Sequence, residues 1–185
     1  DRIIKDGKVY PGGILKVDCF LNHLIDVPFV DKLCEEIFQE YKEEKITKIL
    51  TIEASGIGIA CIAAMKFQVP VLFAKKSKTK NLSDDLYRTN VASFTHGNTN
   101  EVIISKDYLT GSDTVLIIDD FLANGAALAG LTDLVAQSGA KLAGAAVMIE
   151  KGFQGGGDRL RAKGIKVLSL AIIDAFDGDK IVFRQ

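Results

Sequence analysis

Apolar residues recur with a helical spacing near the start of the chain. From residue 30 onward they stand at i, i+3, i+4, i+7, i+8 and i+11: Val30, Leu33, Cys34, Ile37, Phe38 and Tyr41. This period matches one face of an α-helix. Asp26 and Pro28 precede the run, and both residue types are common at a helix start. The pattern predicts an amphipathic helix over about 28–44.

Short apolar runs and helix-like stretches then alternate along the chain. The runs are rich in β-branched and aliphatic residues and cover 48–52, 69–74, 115–119, 142–150 and 166–173. Several are apolar on both faces, which is typical of strands buried in a parallel sheet. The stretches between them lie at about 56–67, 125–138 and 156–163. This alternation predicts an α/β fold with a central, mostly parallel sheet flanked by helices.

Two segments interrupt the alternation. One covers residues 14–23, and the other is a polar stretch at about 75–100 that contains Lys75, Lys76, Lys78 and Lys80. A polar insertion of this length is either a solvated loop or a functional lid. Ligands of open α/β sheets bind at the C-terminal ends of the strands. We therefore expect the chemistry in the loops that follow the strands.

Length and charge restrict the classes of function. The chain has 185 residues, which suits one domain over 1–185, and its 48% apolar and 25% charged residues are ordinary globular values. The 23 basic and 24 acidic residues nearly cancel, so no basic field favours nucleic acid or an anionic membrane. The apolar runs are too short to cross a bilayer, and no signal peptide is visible. We expect a cytoplasmic protein.

Neither cysteine nor histidine predicts a reactive or metal-binding centre. Cys19, Cys34 and Cys61 are odd in number and lack a C-x-x-C spacing, so we expect buried, unpaired thiols. His23 and His96 have no second ligand-type residue at metal spacing. We therefore predict no metal site made by protein ligands alone.

The run VLIIDDFLANGAALAG at 115–130 carries the strongest chemical pattern. An apolar strand leads to two adjacent acids, Asp119 and Asp120, and then to a loop of small residues that opens a helix. Amides at a helix start are unpaired donors at the positive end of the helix dipole, and they favour a phosphate. Carboxylates suit a sugar diol, a metal or a developing cation instead. The run therefore predicts a site for a phosphorylated ribose.

A second small-residue loop follows the strand at 48–52. It is formed by Glu53, Ala54, Ser55 and Gly56. The neighbouring G-I-G at 56–58 begins like a dinucleotide fingerprint. Cys61 occupies the third glycine position, however, and no acid ends the next strand to bind a ribose diol. These two departures argue against a dinucleotide site.

Residues 115–130 resemble the PRPP-binding signature of type I phosphoribosyltransferases, in which PRPP is 5-phosphoribosyl 1-pyrophosphate. The match departs from the signature at Asn124, Ala126 and Ala127, where the family more often has Thr or Ser. ILKVDCFLNH at 14–23 and VMIEKGFQGG at 147–156 resemble the base-recognition segments of bacterial xanthine phosphoribosyltransferases. The resemblance implies the type I fold, with a small hood from the N- and C-terminal segments, a base-recognition segment at about 10–27 and a flexible lid at about 75–100.

The resemblance also implies roles for single residues. The catalytic acids are Asp119 and Asp120. The PRPP-phosphate loop is Ala123, Asn124, Gly125, Ala126 and Ala127. The pyrophosphate loop is Glu53, Ala54, Ser55 and Gly56. The base contacts are Leu15, Asn22 and Lys151, and Phe153 is available to stack on the purine ring.

The implied reaction transfers the phosphoribosyl group of PRPP to N9 of xanthine. Magnesium is expected with the polyanionic PRPP and pyrophosphate, held chiefly by substrate oxygens and water. The resemblance also implies a homodimer. The Lys151 ammonium only donates hydrogen bonds, so it favours the carbonyl of an oxopurine, and Asn22 can both donate and accept.

Other readings stay open at this point. Guanine, hypoxanthine or adenine can replace xanthine as the base. A non-catalytic regulator that binds PRPP, or a binding module for another ribose phosphate, uses the same phosphate loop. The regulators of this kind carry an additional DNA-binding domain, for which this chain has no room and no basic face.

Overall fold

A computed structural model describes residues 1–76, 85–92, 99–178 and 180–185. In chain order its helices and strands are α1 (Arg2–Asp6), β1 (Lys8–Tyr10), β2 (Ile14–Lys16), α2 (Val27–Tyr41), β3 (Lys48–Ile52), α3 (Ser55–Phe67), β4 (Val71–Ala74), β5 (Leu86–Ala92), β6 (Thr99–Ser105), β7 (Thr114–Leu122), α4 (Ala126–Ser138), β8 (Lys141–Lys151), α5 (Gly156–Ala162), β9 (Val167–Asp177) and β10 (Lys180–Phe183). Short 3-10 turns cover Lys42–Glu44, Lys106–Tyr108 and Gly152–Gln154.

Six strands form the main sheet in the spatial order β10, β9, β8, β7, β3, β4. Every neighbouring pair is parallel except β9 and β10. The mostly parallel sheet predicted from the alternation is therefore confirmed. Strand β7 continues to Leu122, three residues beyond the predicted end, because Phe121 and Leu122 still pair with β8.

Helices cover both faces of the sheet. Alternate residues of β3 enter different cores: Ile49 packs with α2 and α3, whereas Leu50 packs with α4. The predicted amphipathic helix is α2, and the Asp26 carboxylate caps it by accepting a hydrogen bond from the Phe29 amide at 3.2 Å. No helix in the described ranges is long and apolar enough for a membrane span.

The prediction for the cysteines is correct only for Cys34, which is fully buried in α2. Cys19 and Cys61 are exposed, so the prediction is wrong for both. Helix α3 is apolar on nearly every side, and its sequence pattern could not show that Cys61 faces outward. Cys19 lies in the irregular turns between β2 and α2.

Two antiparallel ribbons lie outside the main sheet. Strands β1 and β2 form the first, within the N-terminal segment. Strands β5 and β6 form the second, with seven residue pairs, where the polar pattern at 75–100 predicted a lid loop. Gln137 joins this ribbon to α4, since its side chain pairs with both the amide and the carbonyl of Arg88. Residues 77–84 and 93–98, with Lys78, Lys80 and His96, lie outside the described residues.

Candidate active site

The two adjacent acids lie inside β7, in the middle of the sheet. Asp119 and Asp120 are 5% and 7% exposed. Burial, and then the charge of Asp120, raise the pKa of Asp119 well above its ordinary value. One Asp119 oxygen accepts a hydrogen bond from the Asp120 amide at 2.9 Å. The Asp120 carboxylate accepts from the Phe121 amide and from Asn22 Nδ2, both at 2.9 Å.

The phosphate loop, residues 123–127, connects β7 to α4 as predicted. Gly125 precedes the helix with a φ of 80°, a conformation that favours glycine. The Asn124 side chain accepts a hydrogen bond from the Ala126 amide at 3.0 Å. One amide of the predicted cradle is therefore already paired.

The pyrophosphate loop, residues 53–56, connects β3 to α3, and its Glu53–Ala54 peptide bond is cis. The Glu53 carboxylate accepts a hydrogen bond from the Lys76 amide at 2.6 Å. Thr51, the residue before the last of β3, is fully buried, and its hydroxyl has no hydrogen-bond partner within the described ranges. A Cβ added to Gly56 would lie 2.2 Å from Thr51 Oγ1 and 3.0 Å from Asp119 Oδ1. The start of α3 thus lies against the acid pair with no space for a side chain.

A cleft of about 210 Å³ joins these parts. The acid pair, Glu53, Ser55 and the whole phosphate loop line it. Sequence reasoning did not assign the other wall residues, which come from β3, β7, the β4 end, the β5–β6 ribbon and α4: Ile52, Phe121, Leu122, Lys76, Val91, Asn100, Val102 and Leu128. The structure therefore brings together the acids, the phosphate loop, and Glu53 and Ser55 of the pyrophosphate loop, whereas Ala54 and Gly56 do not line the cleft in the described part of the chain.

The four predicted base contacts do not line this cleft in the described part of the chain. Asn22 is joined to it through Asp120, and Lys151 adjoins it because its Nζ lies 5.7 Å from the ring centroid of Phe121. Burial lowers the pKa of Lys151. The Leu15 side chain is 6% exposed and packs in the core, so only its backbone can face a ligand.

Phe153 lies at a more open position than the other predicted base contacts. It is 44% exposed, and its ring meets Phe176 edge to face, with 5.6 Å between centroids. The face of an exposed ring is available to stack on a planar ligand. Phe121, in contrast, was missed as a site residue because the pattern treats it as one more apolar position after the acids.

A buried ion pair supports the segment that carries Lys151. Glu150 has no exposed side-chain surface, and both of its oxygens accept hydrogen bonds from Arg161 of α5, at 3.1 and 2.6 Å. Ser169 of β9 donates a third hydrogen bond to this carboxylate. A bidentate arginine pair of this kind fixes both position and orientation. Helix α5 is thereby attached to the end of β8.

The carboxylates of the cleft fit a magnesium ion that arrives with a phosphorylated ligand. Glu53, Asp119 and Asp120 line the same cleft. Magnesium prefers oxygen ligands and commonly binds through one or two carboxylates together with substrate phosphates. Among the described residues, no three His, Cys, Asp or Glu side chains form a group that could hold a metal by themselves.

Comparisons with known proteins agree with this geometry. The family model of the phosphoribosyl transferase domain matches residues 23–167. A protein named xanthine phosphoribosyltransferase from Ruminiclostridium cellulolyticum is 54% identical over 184 residues, covering 100% of this chain and 97% of that protein. A protein of the same name from Finegoldia magna is 51% identical over 185 residues, with 100% and 97% covered.

Solved structures show the same fold at lower identity. The APRTase from Giardia lamblia, complexed with 9-deazaadenine, has a TM-score of 0.76 and 24% identity and covers 91% of this chain and 93% of its own. The adenine phosphoribosyltransferase from Saccharomyces cerevisiae has a TM-score of 0.74 and 22% identity, with 91% and 96% covered. The fold predicted from the resemblance is confirmed, and the chain belongs to the phosphoribosyltransferase family.

Proposed function

We propose that this chain transfers the 5-phosphoribosyl group of PRPP to N9 of xanthine, giving xanthosine 5′-monophosphate (XMP) and pyrophosphate. The observation that carries the proposal is the shared cleft, in which the acid pair lies between the phosphate loop and the pyrophosphate loop. Proteins named xanthine phosphoribosyltransferase are 51–54% identical to this chain over its full length, and this similarity supports xanthine as the base.

Each part of the cleft has a chemical task in this reaction. The amides of the phosphate loop bind the 5-phosphate at the start of α4. The C1–N9 bond forms as the bond from C1 to pyrophosphate breaks, pyrophosphate leaves with the bonding electron pair, and the base loses its imidazole N–H proton to solvent. Positive charge develops on the ribose during this exchange. Asp119 and Asp120 bind the ribose hydroxyls and stabilise this charge, since fixed carboxylates in a poorly hydrated site act strongly on a nearby cation. The amides of the pyrophosphate loop bind the leaving group.

Magnesium, when bound with PRPP, neutralises charge on the pyrophosphate oxygens. Substrate oxygens and water would hold it chiefly, and the cleft carboxylates nearest to them, among Glu53, Asp119 and Asp120, would contact it directly or through water. We further propose, from the length of the chain, that residues 1–185 act as a single domain, and, as the sequence leads us to expect, that the protein is cytoplasmic. The resemblance supports a homodimer.

Lys151 is proposed to select the base. Its ammonium donates to a purine carbonyl, and its partial burial strengthens that hydrogen bond. Asn22 donates to Asp120, so its carbonyl oxygen remains available to accept from a ring N–H. Phe153 is proposed to stack on the purine ring. An oxopurine satisfies these donors and acceptors better than adenine, whose exocyclic amine cannot accept from Lys151.

Turnover with four bases tests the proposal. The protein is incubated with PRPP, Mg²⁺ and xanthine, guanine, hypoxanthine or adenine in separate reactions, and the nucleotide is measured by chromatography. We expect the highest kcat/KM with xanthine. Turnover with another base only would contradict the choice of xanthine. PRPP binding without turnover on any base would contradict the enzyme activity itself.

Replacing Lys151 by alanine tests the base contact. Loss of one charged hydrogen bond should lower kcat/KM for xanthine roughly 10- to 100-fold, while PRPP affinity changes less than about twofold. Lys141→Ala is the control, because Lys141 is an exposed lysine at the opposite end of the same strand. Equal losses of kcat/KM for xanthine in the two variants would show that the loss follows from removing a positive charge rather than from removing a contact with the base.

A further inference from the structure

The phosphate loop touches the C-terminal base segment, residues 147–156, through main-chain atoms. A Cβ added to Gly156 would lie 2.2 Å from the Ala123 carbonyl oxygen and 2.6 Å from the Gly125 nitrogen. A Cβ added to Gly125 would lie 3.2 Å from the Gly156 Cα. No side chain fits between the two backbones. Backbone contact therefore limits the closest approach of the two loops at this point.

Arg159 of α5 joins the same two segments. Its Nη2 donates a hydrogen bond to the Asn124 carbonyl oxygen and another to the Gln154 carbonyl oxygen, both at 3.1 Å. Asn124 belongs to the phosphate loop, and Gln154 lies three residues after Lys151. A guanidinium is a planar group with five donors in fixed directions, so it can hold two carbonyls at a defined separation.

Helix α5 is a fixed platform for Arg159. Arg161 attaches the helix to Glu150 in β8 through the bidentate pair. Asp158 accepts a hydrogen bond at 2.9 Å from Arg184, and Arg184 in turn pairs with Asp174 of β9. Strands β8 and β9 therefore hold α5 at Arg161 and Asp158, the positions that flank Arg159. In the described part of the chain Arg159 itself forms no ion pair with a carboxylate, and its recorded contacts are the two carbonyls.

We propose that Arg159 is a positioning residue that keeps the phosphate loop and the base segment at the separation that a nucleotide requires. The proposal rests on the proposed function, which assigns the phosphate to residues 123–127 and the base to Lys151. Arg159 touches neither ligand in this scheme. It acts through Asn124 and Gln154, and its effect appears only when both segments bind one molecule.

The test compares a linked ligand with its two halves. Calorimetry measures the affinities of XMP, ribose 5-phosphate and xanthine for the wild-type protein and for Arg159→Gln. XMP requires both segments at a fixed separation, whereas each half lets its own segment relax. We expect XMP to bind about tenfold more weakly to Arg159→Gln, and each half to change less than about threefold. Arg159→Lys should fall between the two, because it keeps the charge without the planar fork.

Lys163→Gln is the matched control, since Lys163 is an exposed cation at the end of the same helix. It should bind all three ligands as the wild type does. Equal weakening of XMP and ribose 5-phosphate in Arg159→Gln would overturn the proposal, because the guanidinium would then act on the phosphate. Unchanged XMP affinity would overturn it too, as would loss of all three ligands with a large fall in melting temperature.

The result can be separated from the proposed function. Wild-type turnover with the four bases is measured first. If another base is used, the proposal of xanthine fails, and the Arg159 comparison is made with the corresponding nucleotide and base. The same pattern of affinities is expected there, because Arg159 contacts carbonyl groups of the chain and no part of the base.

Discussion

Replacing Gly56 by alanine combines two opposite effects in the first turn of α3. Alanine has a higher helix propensity than glycine and should stabilise a helix interior by about 1 kcal/mol. The new methyl group, however, would lie 2.2 Å from Thr51 Oγ1. Thr51 is fully buried, so its hydroxyl cannot move into solvent. The sign of the net effect therefore tests whether this contact is as close as the structure indicates.

The clash should outweigh the propensity. Overpacking a buried site costs about 1–3 kcal/mol, and a contact this short belongs at the upper end. Subtracting the propensity leaves a net destabilisation of about 2 kcal/mol. For a chain of this size, that lowers the melting temperature by roughly 4–8 °C. The methyl group also lies 3.0 Å from Asp119 Oδ1, so KM for PRPP should rise as well.

Thermal unfolding of Gly56→Ala, of its combinations with substitutions at Thr51, and of a control variant measures the change in stability. Thr51→Ala removes the hydroxyl, so the double variant Gly56→Ala with Thr51→Ala should recover most of the stability that Gly56→Ala loses. Thr51→Val keeps the volume of the side chain, so the double variant Gly56→Ala with Thr51→Val should stay destabilised. Gly58→Ala is the control, because its Cβ would lie 2.4 Å from Ile25 Cδ1, the end of a flexible side chain that can shift, rather than against a buried hydroxyl. It should stay within about 1 kcal/mol of the wild type. A Gly56→Ala protein as stable as the wild type would refute the reasoning.

Two further predictions concern buried charge. The pKa of Asp119 is raised by burial and by the neighbouring carboxylate, so the folded state binds this proton more tightly than the unfolded state, and stability falls as pH rises above the ordinary Asp value of about 3.9. Asp119→Asn has no carboxyl proton to lose, so the melting temperature of the variant minus that of the wild type should increase from about pH 4 to pH 7. A difference that stays constant over this range would contradict a raised pKa for Asp119. Glu150→Ala removes the bidentate pair with Arg161, leaves Asp158 at 3.3 Å as the remaining ion-pair partner of Arg161, and should cost about 2 kcal/mol in urea unfolding. Arg88→Ala, which breaks an exposed pair, should cost less than about 1 kcal/mol, and similar losses in both variants would count against a special role for the buried pair.

Patterns that report burial against a large core were read correctly from the sequence. Strands 48–52 and 142–150 are apolar because helices cover both faces of the sheet, and β3 and β8 lie there. The β5–β6 ribbon was not predicted, because recognition of a strand depends on how many of its positions are buried. Of its first strand, Leu86 and Val91 are buried and the residues between them are partly or fully exposed. Strand β5 therefore has too few buried positions for its period to be recognised, whereas β6 buries Val102, Ile103 and Ile104, a run of only three apolar residues.

Contacts between distant segments were the other limit. The acids and the phosphate loop are consecutive in sequence, so one local pattern predicts both. Asn22 and Asp120 are 98 positions apart, and the sequence alone does not indicate that one donates to the other. The resemblance assigned Asn22 to the base, whereas the hydrogen bond to Asp120 depends on how the N-terminal segment folds over β7. Arg159 had no motif at all, because its partners are backbone carbonyls.

The glycine contact between Gly125 and Gly156 has an evolutionary consequence. Main-chain atoms meet there, so the backbone limits how closely the two loops can approach, and Arg159 holds them near that limit. The contact limits how near the proposed phosphate site can lie to the proposed base site. Lys151 and Phe153, the proposed base contacts, precede Gly156 in the chain and take no part in this backbone contact. Base preference can therefore diverge through a few side chains while the phosphoribosyl half of the site stays unchanged.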